Sequence, residues 1–128
     1  MEWTFRNDLP IYSQLVEQIK LAIVSGVYVP GERLSSVRDL AADAGVNPNT
    51  MQRALQELER EGLVFSQRTS GRFVTEDVPL IESAKRSIAE ERLREFLVAM
   101  EKLGYSRGGI VALLNGKEEE QDEADTGM

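Results

Sequence analysis

The chain contains no cysteine and no histidine. The first absence excludes disulfides and thiol catalysis and fits a cytoplasmic setting. The second removes the usual general base and the commonest transition-metal ligand. Apolar runs fall far short of the roughly 20 residues needed to span a bilayer. Residues 1–8 show no basic segment followed by an apolar core, so no secretory signal is visible. Positive charge is also scarce, with 15 Lys and Arg against 22 Asp and Glu and a net charge of −7. That balance opposes a simple electrostatic attraction to DNA. The carboxylates fall on solvated helix faces or in the last residues, and no base–nucleophile pair or metal cluster is suggested. The expectation is therefore no enzyme, no cofactor, no metal and no membrane partner.

With 128 residues, 41% hydrophobic and 29% charged, the chain reads as one main soluble domain with a small appendage. Its charge is unevenly spread. Residues 1–77 carry 8 basic and 11 acidic side chains, and residues 78–128 carry 7 and 11. Glu118, Glu119, Glu120, Asp122, Glu123 and Asp125 lie together near the end. A DNA-binding face needs a local positive surface rather than a positive total. Arg33, Arg38, Arg53, Arg68 and Arg72 are available to make one.

From Pro10, Ile11, Leu15, Ile19 and Ile23 recur every fourth residue, with Val16 and Ala22 beside them, as on one face of an amphipathic helix. Asp8 is the expected cap and Gly26 the expected terminator. Pro30-Gly31 marks a turn. Ser36-Val37-Arg38-Asp39 resembles a capping box opening a short helix with Val37, Leu40 and Ala41 inward. This helix ends at Gly45. Asn47 then caps a second helix with Pro48 at its first position. Met51, Ala54, Leu55 and Leu58 face inward on it, and Asn49, Gln52, Arg53 and Gln56 face out. Gly62 ends it. Leu63-Val64-Phe65 and Arg72-Phe73-Val74, separated by a polar turn, predict a hairpin. Residues 75–79 look like a linker. A long helical pattern runs from Leu80 to Leu103, Gly104 breaks it, and Ser106 can cap a short final helix containing Ile110, Leu113 and Leu114. From Gly116 the chain is acidic and aperiodic, as in a disordered tail.

Two short helices joined by a tight turn and followed by a hairpin describe a winged helix-turn-helix. The polar opening of the second helix stands where such a motif presents residues to base edges. Each candidate also has a plainer role. Asn49 and Gln52 suit paired amide bonds to adenine, or simply a solvated face. Thr50 suits a phosphate or a thymine methyl, or a bond back to its own helix. Asn47 caps the helix, which does not exclude a phosphate contact. Arg38 would bind phosphate or guanine, or pair with Asp39 or Asp43. Arg53 would reach a base or the backbone, or pair with Glu57 four residues on. Arg68 and Arg72, around Ser70-Gly71, suit the minor groove, though an exposed hairpin also carries charge. Arg33 and Ser36 suit the DNA backbone. Trp3 and Phe5 would cover the core or a partner. Ile81, Ala84, Ile88, Phe96, Leu97 and Met100 form a stripe too long for so small a domain to cover, which favours self-association.

Residues 10–74 resemble the winged-helix domain of the GntR family of bacterial transcription regulators. The resemblance rests on Pro30-Gly31-Glu32-Arg33-Leu34, Ser36-Val37-Arg38-Asp39-Leu40, Val46-Asn47-Pro48-Asn49-Thr50 and Leu58-Glu59-Arg60-Glu61-Gly62-Leu63, taken in order over about half the chain. The two helices after the wing look like the YtrA-type branch, whose short C-terminal helices dimerise the protein. The resemblance implies a repressor, often of a neighbouring transporter operon. It also implies that Arg38 contacts DNA from the first motif helix and that Asn47, Asn49, Thr50 and Gln52 fall on contact positions. Many relatives carry Arg at the positions of Pro48 and Gln52, so base readout here leans on amides and Arg53. At the wing the first family glycine is Thr69, and Gly71 is retained.

The expected fold is mainly α with a small β-hairpin: a winged helix-turn-helix over 1–75, a helical dimerisation segment over 76–116 and an acidic disordered tail over 117–128. The expected function is a homodimeric regulator that reads an inverted-repeat operator in double-stranded DNA through helix 47–60 and wing 66–73. The segment after the wing is too short to enclose a sizeable pocket, so an effector, if one acts, would sit at a dimer interface. The rival is a winged helix used to dock proteins in a larger assembly. The negative charge favours that rival, and the Asn/Thr/Gln-rich helix face opposes it.

Overall fold

Helix α1, Ile11–Val24, opens the fold. The structure, a computed structural model, describes the backbone of residues 1–126 and the side chains of 1–116. Pro10 stands at the N-cap of α1 and no side chain caps it. Asp8, two residues too early to reach the first amides, instead pairs with Arg6 at 2.6 Å. The apolar stripe is buried from Leu15 onward, but Ile11 is 37% exposed. Helical side chains lean towards the N-terminus, so one on the first turn covers surface ahead of the helix rather than the core. Gln14, a polar residue, is buried instead. Its Oε1 accepts from the Arg6 amide at 2.7 Å, and its Nε2 donates to the carbonyls of Arg6 at 2.9 Å and Leu9 at 3.0 Å. Those bonds hold the segment before α1 against the helix, and Gln18 adds two more to the backbone of Thr4.

Helices α2 (Val37–Ala44) and α3 (Pro48–Arg60) follow. Both pack in one unit, α3 lying against α1, α2 and the hairpin. The hairpin is β1, Val64–Gln67, paired antiparallel with β2, Gly71–Val74, in the register Val64↔Val74 to Gln67↔Gly71. Arg33 adds an isolated bridge to Phe73. Leu34 donates its amide to the Arg72 carbonyl at 2.9 Å, and Val74 donates to Glu32 at 2.8 Å. Residues before α2 thus border the wing. The core is the inward set expected from the periodicity: Leu15, Ile19 and Ile23 of α1, Leu40 and Ala41 of α2, and Met51, Ala54, Leu55 and Leu58 of α3, closed by Leu34, Leu63, Val64 and Val74. Met51, Leu55 and Leu58 are 0% exposed, so truncating one to alanine would cost about 2–5 kcal/mol.

Helix α4, Val78–Lys102, and helix α5, Arg107–Thr126, complete the described chain. The stretch expected as a linker is partly built in. Thr75 is buried, and Asp77 Oδ1 accepts from the Leu80 amide at 3.1 Å as the cap of α4. Gly104, with φ +98°, separates the two helices, and Ser106 Oγ accepts from the Gly109 amide at 3.1 Å at the start of α5. The final helix is longer than the short one expected. The side chains of the acidic segment 117–128, expected to be disordered, lie outside the described residues. The chain divides into two units, Met1–Arg86 and Ser87–Met128. Ile81 is buried within the first. Among the described residues, the second unit buries Ile110 and leaves Leu93, Phe96, Val98, Leu103, Val111, Leu113 and Leu114 exposed.

Candidate nucleic-acid interface

The turn between α2 and α3 is set by local chemistry. Ser36 caps α2, its Oγ accepting from the Asp39 amide at 3.1 Å. At the other end Gly45 takes φ +71°, a left-handed conformation that closes the helix on the Ala41 and Ala42 carbonyls and that a side chain disfavours. Asn47 then caps α3 by accepting from the Asn49 amide at 2.8 Å. This bond uses the side-chain oxygen and leaves the Nδ2 donor for another acceptor. Pro48 occupies the first helical position. Three residues thus reverse the chain between two capped helices, and the buried stripe of α3 turns its opposite face outward. Asn47, Asn49, Arg53 and Gln56 are exposed, and Thr50 and Gln52 half-buried. The first turn of α3 carries no acidic side chain. Its positive end therefore faces outward without a carboxylate to neutralise it, an arrangement favourable to an anion.

The arginines divide into two groups. Arg38, on the exposed first turn of α2, pairs with neither Asp39 nor Asp43. Asp43 instead accepts from Trp3 Nε1 at 2.8 Å. Arg68 is exposed in the turn at the wing tip, where Ser70 closes back on the Gln67 carbonyl at 3.2 Å. Thr69 keeps a negative φ there, since among the described residues none other than glycine has a positive one. The turn therefore places no demand for glycine at that position. Arg33 runs beside Gly71, where an added Cβ would lie 3.3 Å from its Nε. Gly71 itself has φ +103°.

Arg53 and Arg72 are engaged. The pairing of Arg53 with Glu57 does not form, because Arg60 takes Glu57. Arg53 lies instead over the Tyr12 ring of α1, 4.6 Å from its centroid. Arg72 places Nε 2.7 Å from Oε1 of Glu59, and its side chain is only 19% exposed. Ser66 donates its hydroxyl to the same Glu59 oxygen. Burial alone would raise the Glu59 carboxyl, but the bonds from Ser66 and Arg72 outweigh it and hold the group below the ordinary carboxylate range. The bond from Arg60 likewise lowers Glu57. Burial, then the carboxylates Glu32 and Asp43, raises the Tyr28 phenol and keeps it neutral.

Sequence reasoning missed Tyr12, Glu59 and Asp43 as partners of Arg53, Arg72 and Trp3. The first two pairs join different elements, and no spacing rule announces them. Trp3 and Phe5 stack on each other with centroids 6.2 Å apart. Among the described residues no group of acidic side chains is placed to hold a metal ion. Nor is any helix there long and apolar enough to cross a membrane. The site offers amides, hydroxyls and guanidinium groups around an unneutralised helix end. That chemistry recognises phosphates and base edges.

Comparison with known proteins agrees with this geometry. The model of a family described as bacterial regulatory proteins, gntR family, matches residues 11–74. The HTH-type transcriptional repressor YtrA of Bacillus subtilis is 37% identical over 95 residues, covering 73% of this chain and 72% of the relative. A solved GntR family transcriptional regulator from Listeria monocytogenes superposes with a TM-score of 0.82 at 39% identity, over 88% of this chain and 98% of the other. A structure described as AraR(DBD) in complex with operator ORX1 gives a TM-score of 0.54 at 29% identity, over 59% of this chain and 96% of the other.

Proposed function

The chain belongs to the GntR family of bacterial regulatory proteins and is a YtrA-like, DNA-binding transcriptional regulator, and we propose that it works as a homodimeric repressor of an operon near its own gene, such as a transporter operon. The observation that carries this reading is the face of α3: exposed Asn47 and Asn49, with half-buried Gln52 beside them, on a helix start free of acidic groups. Each protomer would lay residues 47–56 in a major groove. Arg33, Ser36, Arg38 and Thr50 would hold phosphates, and Arg68 would flank them from the wing. Asn49, Gln52 and Arg53 would read bases.

Dimerisation is supported by the second unit, whose exposed apolar residues include Phe96 at 41% and Leu93 at 56%. So much apolar surface favours a cover, and a second copy would supply one through Ala84, Ile88, Phe96, Leu97 and Met100. Ile81 already lies in the core of the first unit and belongs less to such an interface. Two-fold symmetry would match an inverted repeat with half-sites about 34 Å apart. A DNA-binding regulator of this family would do this in the cytoplasm.

The test is fluorescence anisotropy on a duplex from upstream of the protein's own gene, against a scrambled duplex, across a salt series. Saturable binding at two protomers per duplex with clear preference over the scramble is expected. Weak, indistinguishable binding to both would sink the operator reading and favour a protein-docking role.

A further inference from the structure

We infer that Glu59 is a positioning residue for DNA reading: it latches the wing to the recognition helix and withholds Arg72 from phosphate. This inference rests on the DNA-binding reading above. Glu59 lies on the last turns of α3. A single oxygen of its carboxylate accepts from Ser66 Oγ on β1 and from Arg72 Nε on β2. Ser66 and Arg72 stand directly opposite in the hairpin register. One side chain of the recognition helix therefore grips both strands at the same rung.

The opposite face of the hairpin carries Phe65 and Phe73, stacked with centroids 5.7 Å apart. Alternation along each strand puts these rings on one side and the Ser66–Arg72 rung on the other. Val64 and Val74, two residues along each strand, share the rung's side and are buried, so the hairpin rests on the domain through these valines and the carboxylate clasps the polar rung beyond them. The pair is partly buried, with 19% and 28% of its side chains exposed, and solvent screening still keeps its share of global stability modest. Its main effect is geometric and electrostatic. The Arg72 charge is neutralised within the domain, so at the wing tip Arg68 is the arginine left without a carboxylate partner among the described residues. An acidic protein gains from such economy. Sequence-independent attraction stays low, and recognition depends on where the α3 face and Arg68 lie relative to one another.

The experiment measures the salt dependence of binding to a mixed-sequence duplex for the unaltered protein, Glu59→Ala, the double variant Glu59→Ala/Arg72→Ala, and Asp39→Ala. Asp39→Ala removes an exposed carboxylate from α2 without releasing an arginine. Freeing Arg72 adds about one phosphate contact, which steepens the log–log salt slope by about 0.9. A fourfold rise in salt would then weaken Glu59→Ala about 3.5-fold more than the unaltered protein. Preference for the upstream duplex over the mixed sequence should fall in the same variant. The double variant should regain the original slope, and Asp39→Ala should keep it. A Glu59→Ala slope no steeper than that of Asp39→Ala would overturn the inference, as would a steep slope that survives in the double variant. Absence of DNA binding by the unaltered protein would overturn the functional reading itself, a result separable from either.

Discussion

The guanidinium carbon of Arg53 lies 4.6 Å from the centre of the Tyr12 ring, so the recognition helix rests a cation on the first helix of the fold. Arg53 has no carboxylate partner among the described residues, and the ring face holds its charge while leaving its donors towards solvent. A base contact by Arg53 would start from this position rather than from a freely swinging side chain.

The Tyr12–Arg53 contact should be measurable as a coupling. Cation–π pairs at exposed sites are worth about 0.5–1 kcal/mol. A double-mutant cycle with Tyr12→Leu and Arg53→Met in urea denaturation should return that much. Tyr12→Phe, which keeps the ring face, should lose little. A coupling energy near zero would show that the two side chains merely lie close.

Gln14 should matter more than its polar character suggests. Gln14→Leu leaves the Arg6 amide and carbonyl without their partner and should cost about 1–3 kcal/mol. Loss of the same bonds should loosen the segment before Pro10. Limited proteolysis should then cut ahead of α1 faster in the variant, and equal cutting rates would defeat the clamp.

Glu59 predicts a pH dependence. Its carboxyl is held below the ordinary value of 4.5 in the folded chain. A group lowered on folding contributes stability above its unfolded value and loses it as pH falls through the folded one. The destabilisation caused by Glu59→Gln should therefore be full at neutral pH and shrink as pH drops below about 4.5. An effect that is constant down through that range would remove the charge from the explanation.

Gly45 should resist substitution for a purely conformational reason. Its φ of +71° is left-handed, yet nothing lies within 4 Å of where a Cβ would sit. Gly45→Ala should cost about 1–2 kcal/mol through the backbone alone, and Gly45→Asn less, since asparagine tolerates that region. If both variants denature like the unaltered protein, the turn is not held in this conformation.

Arg38 and Asn49 should separate affinity from specificity. Arg38→Ala, which removes a proposed phosphate contact, should weaken operator and random DNA alike. Asn49→Ala, which removes a proposed base contact, should cost about 1–3 kcal/mol of discrimination with little change on random DNA. Binding isotherms on both duplexes decide this, and equal losses on both by both variants would end the division of labour.

Much of the domain could be read along the chain because its signals are local. The caps Ser36 and Asn47, the left-handed Gly45, the proline at the start of α3 and the stripe Met51, Ala54, Leu55 and Leu58 all act within a turn or two of backbone. Periodicity and capping chemistry reach that far. The outward placement of Asn49 and Arg53 followed from the same periodicity, since burying one face of a helix exposes the other. Asp8 shows the limit: a capping type of residue two positions ahead of the N-cap Pro10 caps nothing and pairs with Arg6 instead.

What the sequence determined by itself was therefore the helix-turn-helix, its hairpin and the polar face it turns outward. Tertiary structure alone decided which partner each charged side chain meets. Arg53 had Glu57 at the favourable spacing of four residues, but Arg60 took that carboxylate and a ring from α1 took Arg53. Arg72 found Glu59 across 13 positions of sequence. Spacing along one helix ranks the partners on that helix. Once packing brings another element within hydrogen-bond distance, partners close in space compete with those near in sequence, and inter-element distances decide between them.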